Sequence, residues 1–476
     1  NEADIEGGRI GFGRLLELGE SIFAARWTKL DGQGRPAATG ANMPTHRDPS
    51  DNPGFIRISG TDASSCADCH NQPAIGGGGG FVSNVFVMAQ NLNPVTDSVS
   101  PEISNERNTL GMNGSGAIEM LSREMTADLQ GIRDTASREA IATGCKVTKA
   151  LETKGVNFGR IVAHADGGFD LSGVQGVDPD LVIKPFSQKG VVNSIRVFTV
   201  NAFNQHHGME AVERFGAGQL DSHGNAITTN DFDGDGVPDE LSVGDVTAAT
   251  VFQAALNVPG RVLSDDPTCR AAARAGEALF SQIGCTDCHI PSLTLKDPKF
   301  SEPNPYNGPG NFRVQDASHP FIFDLTRDIP TPRLACRPGG GAIVHAYTDL
   351  KRHVIADAQD PFFANEKVRQ SGVPVDQFIT RKLWDVGCSA PYGHRGDLTT
   401  ITEAILHHAG EARRQRERFA ALSQTGQSQI IEFMKQLQVL PPGSPWVVTE
   451  AQLNAMLRYQ KRVPYSHRNK ARPLAP

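Results

Sequence analysis

Two copies of the sequence Cys-x-x-Cys-His, at residues 66–70 and 285–289, are the residues best suited to carry chemistry in this chain. The two thiols of such a motif add across the vinyl groups of a haem, and the adjacent histidine can become the axial ligand of the iron. A zinc site would need a second cysteine pair nearby, and a redox dithiol needs no histidine after it. The motifs therefore predict two covalently bound c-type haems, held by Cys66, Cys69 and His70 and by Cys285, Cys288 and His289.

Helical segments are expected before each motif. Residues 271–280 are rich in helix formers, contain a glycine and a phenylalanine four residues apart, and end shortly before Cys285. Residues 15–23 repeat that Gly-to-Phe spacing, but a long stretch rich in Gly, Pro, Asp and Asn follows before the first motif. Residues 429–437 carry apolar side chains at helical spacing and are followed by Pro-Pro-Gly, which predicts a closing helix for the second haem domain.

The expected fold class is mainly α: two cytochrome c-like domains with long Gly/Pro-rich loops and few short strands. The 49 glycines and 30 prolines favour turns and irregular loops, and residues 181–183 and 195–200 are predicted strands. Residues 1–265 are expected to form an elaborated N-terminal domain around the first haem, and residues 266–476 a C-terminal domain around the second.

Charge and cysteine content indicate the setting of the protein. A net charge of −7 argues against nucleic acid or an anionic membrane as a partner, and no apolar run is long enough to span a bilayer. The chain begins at Asn1 without a charged-then-apolar leader, which predicts a processed protein that is periplasmic or secreted. Four cysteines remain outside the haem motifs, and they fit either two disulfides of unknown pairing or four free thiols: Cys145, Cys269, Cys336 and Cys388.

Residues 231–240 predict a calcium loop in the N-terminal domain. Oxygen ligands recur at alternate positions, with a glycine for the sharp turn: Asp231, Asp233, Asp235 and Asp239. The end of the loop departs from an EF-hand, because position twelve is Ser242. An unliganded surface loop of Asp-Gly turns is the alternative, and the expected role of the ion is structural.

The ligand on the side of each iron opposite the motif histidine determines whether that haem transfers electrons or catalyses a reaction. Methionine is absent between His289 and Met434, and Met434 lies in the expected closing helix, where a core role is more common. A histidine or tyrosine is therefore the expected distal ligand of the second haem. Eight residues qualify, and the sequence alone does not choose among them: His319, His345, His353, His394, His407, His408, Tyr347 and Tyr392.

Several segments of the C-terminal half occur in the same order as in one known protein superfamily. They are residues 276–280 leading to the second motif, 347–350, 383–387, 391–396 and 400–408. In these segments the chain resembles the bacterial di-haem cytochrome c peroxidase superfamily, and in particular its di-haem oxidoreductase branch, which includes the haem-dependent rubber oxygenases. The resemblance covers most of the C-terminal half and is looser in the N-terminal half.

The resemblance implies an electron-relaying second haem with two histidine ligands, since His408 falls where the peroxidases have methionine; its neighbour His407 is the alternative. The first haem would then be the reactive one. Glu119 and Glu124 fall in the window of the family's catalytic glutamate, and His207, beside His206, is a further candidate near that haem.

The expected function is peroxidase-like activation of hydrogen peroxide at the His70 haem, with a redox protein as electron donor or acceptor. An oxygenase that binds dioxygen at the same iron and cleaves an organic substrate is the second hypothesis. A non-enzymatic electron carrier with both irons closed is the third.

Overall fold

The computed structural model describes residues 1–34, 63–79, 85–88, 104–220, 224–367 and 369–462. The α-helices in these ranges are α1 (Glu2–Glu6), α2 (Phe12–Ala24), α3 (Cys66–Cys69), α4 (Ser115–Thr143), α5 (Ile195–Ala202), α6 (Val212–Phe215), α7 (Val243–Ala254), α8 (Pro267–Gln282), α9 (Ile401–Leu406), α10 (Arg413–Ala420), α11 (Gln424–Lys435) and α12 (Glu450–Arg462). Among the described residues, no helix combines the length and apolar character that a membrane crossing requires.

Short strands connect these helices. They are β1 (Val85–Met88), β2 (Ser104–Arg107), β3 (Val147–Thr153), β4 (Val156–Ala163), β5 (Phe169–Asp170), β6 (Gly260–Leu263), β7 (Leu293–Leu295), β8 (Lys299–Glu302), β9 (Phe321–Asp324), β10 (Ala335–Cys336), β11 (Ala342–Val344), β12 (Arg352–Val354), β13 (Gln377–Ile379), β14 (Leu437–Gln438) and β15 (Val447–Thr449). They form three-stranded sheets in the orders β3-β4-β5, β10-β11-β7 and β14-β6-β15, and the pairs β1-β2, β8-β9 and β12-β13. Neighbouring strands are antiparallel except β6 and β15.

The predicted mainly α fold class is wrong, because helices account for 37% of the structure and strands for 16%. The segments expected to be loops pair locally into small sheets, which satisfies their backbone hydrogen bonds. The two predicted strands are also wrong. Residues 181–183 form no strand, and residues 195–200 lie in α5, where the Ser194 hydroxyl caps the helix by accepting from the Val197 amide at 3.1 Å.

The same close helix pair occurs twice. In the second half, α8 packs against α11, and a Cβ at Gly276 would lie 1.8 Å from the Gln429 carbonyl oxygen. In the first half, α2 packs against α7, and a Cβ at Gly19 would lie 2.1 Å from the Ala248 carbonyl oxygen. The shared Gly-to-Phe spacing of the sequence therefore marks two helices whose backbones touch a partner helix. The expected closing helix at 429–437 falls largely in α11. No pattern in the sequence predicted α7.

One large buried apolar cluster includes residues from both sides of the predicted boundary at residue 265. Leu15 in α2, Leu121 in α4 and Leu293 in β7 all belong to it. Strand β6, which precedes the boundary, pairs with β14 and β15. The division into residues 1–265 and 266–476 stays a prediction.

Replacing Gly276 with alanine should destabilise the protein by about 3 kcal/mol, because the new methyl group meets backbone atoms that cannot move aside as a side chain can. Gly131 is the matched control: it lies inside α4, and a Cβ there meets nothing within 4 Å. Gly131→Ala should be neutral or stabilising by up to about 1 kcal/mol. Urea unfolding followed by circular dichroism measures both, and equal effects of the two variants would contradict the close packing of α8 on α11.

Candidate functional site

A cavity beside the second motif brings the predicted ligands together. Cys285, Cys288, His289 and His408 all line it. The His289 Nδ1–H donates to the Tyr347 carbonyl at 3.1 Å, and the His408 Nδ1–H donates to the Ala404 carbonyl at 2.7 Å. Since a carbonyl can only accept, these bonds leave Nε2 of each histidine as the metal-binding nitrogen.

Both histidines are held in the neutral form that a metal ligand requires. Burial lowers the pKa of His289 to about 4, with a further contribution from His408, and burial also lowers the pKa of His408. The neighbouring His407 instead stacks on Phe362, with ring centroids 3.9 Å apart, and does not line the cavity. Of the two adjacent histidines, the structure therefore places His408 at the second motif.

Other candidate ligands have partners of their own. Nε2 of His353 lies 2.8 Å from Asp349, and Nε2 of His394 lies 2.8 Å from Asn365. The Tyr347 hydroxyl donates to Glu277 at 3.1 Å. Met434 also lines the cavity, but it belongs to the buried core between α8 and α11.

The first motif lies in a second cavity with a similar proximal side. The His70 Nδ1–H donates to the Gly77 carbonyl at 3.3 Å, and burial lowers the pKa of His70 to about 4. Phe23 of α2 lies 6.1 Å from the His70 ring, and Phe280 of α8 lies 6.3 Å from the His289 ring, with interplanar angles of 53° and 51°. The two motifs thus have nearly the same surroundings on this side.

A π-helical turn, Phe203–His207, forms another wall of the first cavity. Such turns often occur at functional sites. The His207 Nδ1–H donates to the Ala63 carbonyl at 2.7 Å, and its Nε2 lies 3.6 Å from the Cys66 sulfur. His206 lines the cavity and lies near enough to His70 to contribute to lowering its pKa. Gln205 also lines it, and its side-chain Nε2 is buried without a hydrogen-bond partner among the described residues.

The two glutamates predicted to be catalytic bind other side chains and amides of the protein, away from the first cavity. Glu119 is fully buried in α4 and accepts hydrogen bonds from the side chains of Arg123 and Asn304 and from the Ile195 amide. Glu124 pairs with Lys154 and accepts from the backbone amides of residues 296 and 297. Neither glutamate lines the described cavities beside His70. Both glutamates hold structural contacts, and their catalytic role, like that of His207, stays a prediction. His206 and His207 both line the first cavity.

The two haem-motif cavities are adjacent. Leu110 and Gln188 line both of them. The Asn108 amide nitrogen donates to the His394 carbonyl at 2.8 Å, and its side chain donates to the Pro391 carbonyl at 2.6 Å. This segment of the N-terminal half is therefore fixed to the C-terminal half between the two sites.

The acidic loop differs from its expected composition. Asp231, Asp233 and Asp235 offer oxygen atoms within 4.8 Å of one another, as the spacing predicts. Asp239 lies outside this group, and its carboxylate accepts from the Asn230 side chain at 3.3 Å. Two glutamates that the sequence did not single out as ligands, Glu210 and Glu240, form a second group with Asp233.

The disulfides that the sequence allowed are not formed. Cys145 and Cys336 are exposed free thiols, and Cys269 and Cys388 are free and half-buried. Of the two alternatives, the structure shows four unpaired thiols.

Residues 341–437 match a family described as "Di-haem oxidoreductase, putative peroxidase". The matched residues, which include His408, are similar to di-haem oxidoreductases, and this supports the resemblance to that branch over residues 341–437. The relation to rubber oxygenases stays a prediction. No curated protein sequence matches the chain.

Two solved structures share low similarity with the chain. Hydrazine synthase from Kuenenia stuttgartiensis is 15% identical, with a TM-score of 0.23, over 41% of this chain and 55% of that one. A MauG-like protein associated with microbial copper homeostasis is 12% identical, with a TM-score of 0.26, over 67% of this chain and 88% of that one. The chain thus spans about half of the hydrazine synthase chain, and neither likeness supports an argument about function.

Proposed function

We propose that this chain is a c-type di-haem oxidoreductase that reduces hydrogen peroxide at the first motif, with electrons supplied through the second. The difference between the two cavities carries the proposal. His408 offers a metal-binding nitrogen beside His289, whereas in the first cavity Nε2 of His207 lies 3.6 Å from the Cys66 sulfur. That cavity also contains Gln205, next to His206, and the Gln205 side-chain N–H is buried without a partner among the described residues. A buried donor of this kind suits an oxygen ligand.

The residues present fit a covalently attached haem at each motif. Cys66 and Cys69 would bind one haem through thioethers and Cys285 and Cys288 the other, and the neutral imidazoles of His70 and His289 have the protonation that iron ligation requires. Bound haem supplies a redox-active iron at each site. A periplasmic or secreted location stays a prediction, because the four free thiols give no disulfide signature of an oxidising compartment.

Side chains of the first cavity would assist the reaction. Hydrogen peroxide takes up two electrons and two protons and gives two water molecules. His206 would accept a proton from one peroxide oxygen and return it to the oxygen that leaves, while the Gln205 N–H donates to the bound peroxide. An external redox protein would supply electrons to the second site, and Leu110 and Gln188, which line both cavities, would lie beside the path to the first.

The haem-loaded protein should oxidise a reduced cytochrome or dye when peroxide is added. Mass spectrometry under denaturing conditions should show two haems attached to the chain. Oxygen consumption with candidate organic substrates is measured in parallel. Dioxygen-dependent turnover without peroxide-dependent turnover would contradict the peroxidase proposal and favour the oxygenase.

A further inference from the structure

The acidic loop contains buried carboxylate oxygens that have no partner among the described residues. Glu210 is 2% exposed and Asp233 is 9% exposed. Glu210 Oε1, Asp233 Oδ2 and Glu240 Oε1 are all buried without a hydrogen bond. Leaving such oxygens unpaired costs free energy, and a buried charge needs a counter-charge. The three oxygens belong to side chains whose ligand atoms lie within 4.8 Å of one another.

Other oxygens of the cluster already accept hydrogen bonds from the loop itself. Asp231 accepts from the amides of residues 235 and 236 at 3.1 Å, and Asp235 accepts from the Val237 amide at 2.8 Å. These bonds shape the turn around Gly236, whose φ is 96°. The loop is therefore preformed around its unpaired oxygens.

We propose that Glu210, Asp233 and Glu240 bind one calcium ion, with Asp231 and Asp235 beside it, and that this ion anchors the segment of His206 and His207 to the acidic loop. Several carboxylate oxygens around one point are the ligand set that calcium prefers. The site does not depend on the proposed peroxide chemistry.

The charge of the cluster supports a cation. Asp233 belongs to two groups of carboxylates whose ligand atoms lie within 4.8 Å of one another, one with Glu210 and Glu240 and the other with Asp231 and Asp235, so that negative charges repel at close range. A bound divalent ion removes this repulsion and lets all three carboxylates stay ionised.

Glu210 connects the ion to the wall of the first cavity. It follows the π-helical turn by three residues, and its backbone amide donates to Glu240 at 2.5 Å. Its carbonyl accepts from the Leu241 amide at 3.1 Å, and its carboxylate accepts from the Phe232 amide at 3.0 Å. Glu210 thus supplies a carboxylate for the ion and also makes the backbone hydrogen bonds that join the loop to residues 203–210.

Calcium titration of the chelator-treated, haem-loaded protein tests the site. Calorimetry should show one tight site, and calcium should raise the melting temperature. Asp233→Asn and Glu210→Gln should each weaken binding roughly 100-fold. The control is Asp166→Asn, since Asp166 accepts from the Gly168 amide in another, exposed Asp-Gly turn and should not affect binding. Wild-type protein that binds no calcium, variants that bind as tightly as wild type, or tighter binding of magnesium would each overturn the calcium site.

Hydrogen exchange tests the anchoring. Calcium should slow amide exchange in peptides that cover residues 204–212 as well as in those that cover residues 229–242. Slowing restricted to residues 229–242 would overturn the anchoring of the histidine segment while leaving the ion in place.

Discussion

Replacing His206 with alanine should lower peroxide turnover by about 10²- to 10⁴-fold, the range typical of a lost acid–base group. The wall of the first cavity places His206 with His70 and Gln205, so the variant removes the side chain proposed to move the proton between the two peroxide oxygens. The rate constant for the reaction of the protein with peroxide, measured by stopped-flow spectroscopy, reports this step directly.

The control for this variant is His319→Ala, because His319 is an exposed histidine outside the described cavities. It should react with peroxide at the wild-type rate. His207→Ala gives a second comparison, since His207 lines the same cavity and its Nε2 lies 3.6 Å from the Cys66 sulfur. A His206→Ala protein that keeps both haems and reacts within twofold of wild type would contradict the assigned role.

Replacing His408 with methionine should raise the midpoint potential of one haem by on the order of 0.2 V, because a His/Met pair favours the reduced iron more than two histidines do. His408 lines the second cavity and is fixed by its bond to the Ala404 carbonyl. A relay haem of higher potential gives a smaller driving force toward the first site, so turnover with a weak reductant should fall as well. A redox titration, monitored through the absorption of the haems, measures the shift in midpoint potential.

His407→Met is the matched control for this prediction, since the neighbouring residue stacks on Phe362 outside the cavity. Its potentials should equal those of the wild type. A shift in His407→Met, or none in His408→Met, would show that the distal ligand of the second haem has been misassigned.

The sequence was most informative where chemistry or packing leaves few choices. The two cysteine motifs and the Gly-to-Phe spacing at Gly276 are local features, and the structure places that glycine against a partner helix. His408 was chosen as the distal ligand of the second haem only through the resemblance to a known family. By their chemistry alone, eight histidines and tyrosines could serve as that ligand.

The failures have physical reasons. The β-branched residues of 195–200 suggested a strand, but the cap at Ser194 starts a helix there. His206 and His207 are neighbours whose directions depend on a π-helical turn that no local pattern announced. Glu210 joins the acidic loop only through the fold, since twenty residues separate it from the first aspartate at Asp231 in the sequence. Strand β6 likewise pairs with β14 only through the fold, since the two strands are far apart in the sequence.

We propose that the two haem sites are unequal: His289 and His408 would close the second, while the first keeps a position for an oxygen ligand. Electron paramagnetic resonance of the oxidised, haem-loaded protein measures this difference. It should show one low-spin signal of a bis-histidine haem, which His408→Ala abolishes, together with one high-spin signal from the His70 site. Two low-spin signals in the wild type would contradict it, since both irons would then be closed and the protein would be an electron carrier.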